Sequence, residues 1–148
     1  TGERDRAEQL INKTNQFNAN GDRLQSAEIQ KILDNGGRLI TASLVDRIGD
    51  HGEIFCCLIS RDGEIRSLVM SCRVFQRKVE DALFCWMAKE KPKVSKIRFK
   101  KTVRNEPMQK FFQKFVDHYD DEGPIPIEMD RFYSQNKSSL ELFQIQLI

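Results

Sequence analysis

Ser71-Cys72-Arg73-Val74-Phe75-Gln76-Arg77-Lys78-Val79-Glu80 is the stretch on which the reading of this chain turns. Ile65 to Cys72 ahead of it has the composition of a strand. From Arg77 onward the apolar residues recur at helical spacing, so the stretch joins a strand to a helix. Such a junction leaves backbone N–H groups without helical partners, and the helix dipole favours an anion beside them. Arg73, Arg77 and Lys78 add three positive charges at the same end. These three, with the backbone of Val74 and Gln76, are the candidate anion or cofactor binders. The plainer reading of the arginines is as charges at a helix end with no ligand.

The pattern extends outward on both sides. Downstream, Arg77 to Lys89 carries Val79, Ala82, Leu83, Trp86 and Met87 on one helical face, and Pro92 forbids its continuation. Lys93 to Val103 alternates as a strand, with Ile97 and Phe99 opposite Lys96, Arg98 and Lys100. Asn105-Glu106-Pro107 opens a helix with an apolar face reaching Tyr119. Pro124 to Met129 and Leu140 to Ile148 read as a closing pair of strands. Upstream, Glu53 to Ser60 contains a six-residue apolar run, Ile54 to Ile59, as expected of a strand buried on both faces. Asp62-Gly63 is a hairpin signal between it and Ile65 to Cys72. Arg38 to Arg47 is a strand before the turn Gly49-Asp50-His51-Gly52. Asp5 to Asn15 and Ser26 to Asn35 are helices, the second with Ser26 as N-cap and Gly36 beyond its end. The expected fold is α/β: a mixed, largely antiparallel sheet flanked by helices on both faces, its third and fourth strands parallel across a helical crossover.

The 148 residues suffice for one domain with a real core. No apolar run is long enough to span a bilayer. A net charge of +2 does not point to nucleic acid, although Lys89 to Lys110 holds nine Lys or Arg against two Glu. That strip suits an acidic partner, or simply a lysine-protected strand edge. Cys56, Cys57, Cys72 and Cys85 lack Cys-x-x-Cys spacing, and the two histidines lack ligand spacing. A reduced, cytoplasmic setting with no disulfides and no metal site is expected. The chain opens Thr1-Gly2-Glu3, as expected of a fragment of a longer protein.

Three residues are candidate catalytic groups. Cys72, at a strand end beside Arg73, is placed for a lowered thiol pKa and nucleophilic attack on an acyl group, or is a small apolar sheet residue. His51 is a candidate base or an exposed turn histidine. Glu80 suits the first turn of its helix, as a functional carboxylate or as a partner for Arg77 or Arg73. Asn15, Gln16 and Asn18 are candidates for lining a substrate mouth or for satisfying a tight loop. Asp46, Arg47 and Asp50 form another candidate cluster, or an ion pair that fixes their turn.

The element order resembles the GNAT acyltransferase fold lacking its first strand. Asn12-Lys13-Thr14-Asn15-Gln16-Phe17-Asn18, Asp46-Arg47-Ile48-Gly49-Asp50-His51-Gly52, and Ser71-Cys72-Arg73-Val74 with Arg77 and Glu80 resemble the C-terminal module of FkbH-like proteins. The resemblance covers the first half of the chain. The second half follows only the general GNAT pattern, through Asn105 and the aromatic helix. It implies an upstream phosphatase-type domain of the haloacid dehalogenase class as partner, and a role in loading a phosphoglycerate-derived acyl unit onto an acyl carrier protein, in a polyketide or surface-sugar pathway. It also implies coenzyme A or acyl-phosphopantetheine as cofactor, and Asn105 as a substrate-binding residue. This chain departs from the family at two places. GNAT enzymes cradle the coenzyme A pyrophosphate with Gln/Arg-x-x-Gly-x-Gly/Ala, and here Gln76 and Lys78 stand where the small residues belong. Phe112 stands where many GNAT enzymes place a Tyr general acid.

Overall fold

In the computed structural model, the described residues are 2–14, 18–74, 77–90, 94–114, 116 and 118–146. Five strands form one sheet in sequential order: β1 (Arg38–Val45), β2 (Asp50–Ile59), β3 (Glu64–Met70), β4 (Lys96–Lys100) and β5 (Glu122–Pro126). Neighbours are antiparallel except β3 and β4, which are parallel. The parallel pair follows from the crossover, helix α3 (Val79–Glu90), that separates them. The Asp62-Gly63 signal makes the β2–β3 hairpin, with Gly63 at φ 88° and its N–H donating to the Ser60 carbonyl. The interior strand β2 buries all six residues from Ile54 to Ile59, as its continuous apolar run requires.

Helices cover both faces. On one, α1 (Gly2–Lys13) and α2 (Ser26–Asp34) place Ala7, Leu10, Ile11 and Ile29 against Cys56, Leu58 and Val69. Gln25, not Ser26, caps α2, and its N–H donates back to the Glu28 carboxylate at 3.4 Å. On the other face lie α3, α4 (Glu106–Phe112), α5 (Met129–Asn136) and a 3-10 helix (Lys137–Leu142). Their rings form an edge-to-face cluster, with Phe84 5.0 Å from Phe111 and 6.0 Å from Phe132. Each such pair adds about 1 kcal/mol to what burial contributes.

Three expectations fail on this face. Helix α3 is not a one-sided amphipath. Phe84, Cys85 and Asp81 are buried as well, because α5 and the 3-10 helix form a second layer over it. Helix α4 ends at Phe112, short of Tyr119. The aromatic face continues regardless, since the Tyr119 ring packs 5.2 Å from Phe99 out of non-helical chain. The expected strand from Leu140 to Ile148 does not form over its described part: Leu140–Leu142 belong to the 3-10 helix, residues 143–146 run without ladder bonds along a groove they share with α3, and residues 147–148 lie outside the described residues. No described helix is long and apolar enough to cross a membrane.

Candidate functional site

The strand-to-helix junction is built from two distant segments. Strand β3 stops at Met70, and the Ser71 N–H donates to the Ile54 carbonyl at 2.7 Å. The chain then turns, with the Val74 N–H on the Ser71 carbonyl at 3.1 Å and the Val74 side chain buried in the core. Arg77 and Lys78 remain in the turn, and α3 begins at Val79 rather than Arg77. Lys78 has φ 65°, the one positive φ on a non-glycine among the described residues. Gln76 lies outside the described residues.

Opposite this turn stands the β1–β2 loop. Asp46 Oδ1 accepts the N–H groups of Ile48 and Gly49 at 2.9 and 3.2 Å and so shapes the turn. Asp46 Oδ2 accepts Arg77 Nη2 at 2.7 Å and lies 2.9 Å from His51 Nε2. The ion pair expected within the loop is instead made between the loop and the helix entrance. The Arg77 guanidinium, the largest effect, together with His51 and the two turn amides, holds the Asp46 carboxyl well below the usual carboxylate range. Asp46 is therefore a hub that orients Arg77 and His51, with both oxygens already used. Asp50 Oδ1 accepts the Gly52 N–H at 2.7 Å and serves its own turn.

Around the hub, Cys72, Arg73, Arg47 and Lys78 are exposed. Arg73 Nε makes a long 3.4 Å contact to Ser71 Oγ, and the residue is exposed. Glu80 is buried in the first turn of α3. Burial pushes the Cys56 thiol up to about 12 and also raises the Cys57 and Cys85 thiols. These three are core thiols, and Cys72 is the exposed one.

The asparagine candidates do different work. Strands β3 and β4 pair only at Glu64–Lys96 and Ile65–Ile97 before they diverge. Asn18-Ala19-Asn20 fills the fork between them. The Ala19 N–H donates to the Leu68 carbonyl at 3.1 Å, and the Ala19 carbonyl accepts the Lys100 N–H at 2.9 Å. Asn20 Nδ2 donates to the Arg66 and Arg98 carbonyls, bridging the two strands. Asn105 Nδ2 donates to the carbonyls of Asn18 and Lys100, and its Oδ1 accepts from Thr102 N–H and Gln109 Nε2. Asn18 accepts the Asn20 and Gly21 N–H groups and donates to the Thr14 carbonyl. Asn18 and Asn105 are thus buried staples with their polar groups bonded internally, and for Asn18 this is the loop-satisfying alternative. Asn15 and Gln16 lie outside the described residues. The sequence reading missed Asn20; its cue was a third asparagine in the same polar loop.

Among the described residues, the turn offers a coenzyme A pyrophosphate no open backbone cradle. The Val74 amide and one face of Arg77 are already bonded, Val74 fills the space under the turn, and a side chain stands at position 78. Phe112 is buried against Phe99 and donates nothing. The basic strip is partly neutralised, with Lys96 on Asp62 and Arg98 on Glu64. Among the described residues no group of three His, Cys, Asp or Glu side chains is placed to hold a metal ion.

Beside the junction, a groove of about 320 Å³ runs between β1 and α3, with the 143–146 segment along its side. Comparisons with protein-family models, curated proteins and solved structures give no significant match.

Proposed function

We propose that this chain is a GNAT-like, acyl-handling module of the FkbH-like type. It holds an acyl or phosphoglyceryl unit, carried on phosphopantetheine or an acyl carrier protein, for chemistry done by an upstream phosphatase-type domain. The observation that carries this reading is the Asp46 hub, which ties the 46–52 loop to Arg77 at the entrance of α3 and orients Arg77 and His51, while Cys72 and Arg73, ahead of α3 in sequence, are exposed. Two guanidinium groups with free donors suit one phosphate or carboxylate. The residues do not suit a diphosphate, so the module binds and positions, and coenzyme A-dependent transfer is not part of the reading.

Thermal unfolding of the chain with 4′-phosphopantetheine or 3-phosphoglycerate tests it. A ligand at about ten times its Kd raises Tm by roughly 3–6 °C for a domain of this size. Arg73→Gln, which leaves the Asp46 bonds alone, should cut that shift by more than half. A Tm raised by coenzyme A but by neither probe would replace this reading with an acyltransferase one.

A further inference from the structure

The groove between β1 and α3 has apolar walls. Ile40, Ala42 and Leu44 form one side, Leu83 and Trp86 the other, and Ile145 lies along the rim. The floor closes at Ala82, which is buried. About 320 Å³ falls at the small end of ligand pockets and is too little for a partner helix. One end abuts the junction, because Leu44 lies two residues before Asp46 and Val79 two after Arg77. A group held at Arg73 and Arg77 therefore has an apolar channel next to it.

We infer that the unit this module accepts is an aliphatic acyl chain lying along Trp86, rather than a phosphoglyceryl group. The inference rests on the proposed function for the head-group site and adds the chemistry of the tail. A phosphoglyceryl unit is polar along its length. Its hydroxyls would lose water against Ile40, Leu44, Leu83 and Trp86 with few partners in return. Methylene groups lose nothing there, and each one buried tightens binding about three- to fourfold. Ser43 and Glu53 also line the groove, so it is not apolar along its whole length.

Trp86 is the chain's single tryptophan, so intrinsic fluorescence reads the groove directly. The intact chain is titrated with hexanoyl-, octanoyl- and decanoyl-pantetheine, with glyceryl-pantetheine, and with the matching free alkyl carboxylates. The expected result is a saturable blue shift for the alkyl thioesters, with affinity rising about tenfold or more for each two carbons, and no blue shift with glyceryl-pantetheine. Ala82→Phe, which fills the floor, should abolish the length dependence. Leu83→Gln, on a half-exposed side chain, should weaken it and serves if the first variant does not fold. Affinity independent of chain length overturns the inference even if Arg73→Gln still weakens binding, and the head-group reading then stands alone. Length-dependent binding of thioesters and carboxylates alike, unaffected by Arg73→Gln, keeps the groove and removes the head-group reading. A blue shift caused by protein concentration alone means a second copy fills the groove, and also overturns it.

Discussion

Asp46 shows how far one carboxylate can organise a surface corner. Its two oxygens fix the loop through Ile48 and Gly49 and hold Arg77 and His51 from other elements. Folding favours its charged form, so its carboxyl titrates below the unfolded range. That stability is present above about pH 4 and is lost as pH falls below it. Asp46→Asn should therefore lower Tm clearly at pH 7, with the gap to the unmodified chain closing as pH approaches 2. A gap that stays constant across that range would mean the carboxylate is not what folding favours. In the sequence, Asp46 and Arg77 were both visible as candidates, but their pairing was not. Ion pairs across 31 positions leave no local spacing to read. Lys78 was legible as a candidate anion binder and as a departure from the glycine pattern, but not as a left-handed position. Its φ of 65° gives the physical reason a small residue suits that position, since left-handed backbone costs a side-chained residue about 1–2 kcal/mol.

Among the elements, those with a strong period were readable. β2, the β2–β3 hairpin and the parallel crossover follow from an apolar run, an Asp-Gly turn and an intervening helix. Helix α5 was missed because it buries one residue fully, Phe132, in a polar sequence. The 143–146 segment misled for a different reason. Phe143 is extended, at φ −133° and ψ 145°, as the alternation implied, yet extended chain forms a ladder only where a strand edge is offered. The fork between β3 and β4 was invisible too, since nothing in a loop of asparagines says which strands it will enter. Its weight can be measured. Asn105→Ala removes bonds to two carbonyls and one backbone N–H in a buried site and should cost about 3 kcal/mol. Asn12→Ala, at a partly buried helix surface, should cost about 1 kcal/mol. Equal losses by urea unfolding would show that the staple is not special.

Across the whole molecule, the two-faced sheet predicts the behaviour of the thiols. Three cysteines lie in the core with raised thiol pKa values, and Cys72 is exposed. Ellman's reagent at pH 8 should label one thiol per chain quickly and the other three only in denaturant, about a hundredfold or more slower without it. Rapid labelling of a second native thiol would mean that the second layer over α3 opens readily. The fork also carries a consequence for how the chain assembles. Ala19 is made before its seat, which is bounded by Leu68 and Lys100, and the amide that pins Asn18 comes from Asn105. The leading segment must wait some eighty residues for its place to exist. Closure of that long loop makes its insertion a late, slow event. A nascent chain halted before residue 100 should therefore leave residues 2–20 open to protease, and synthesis carried well past residue 105 should protect them in a single step.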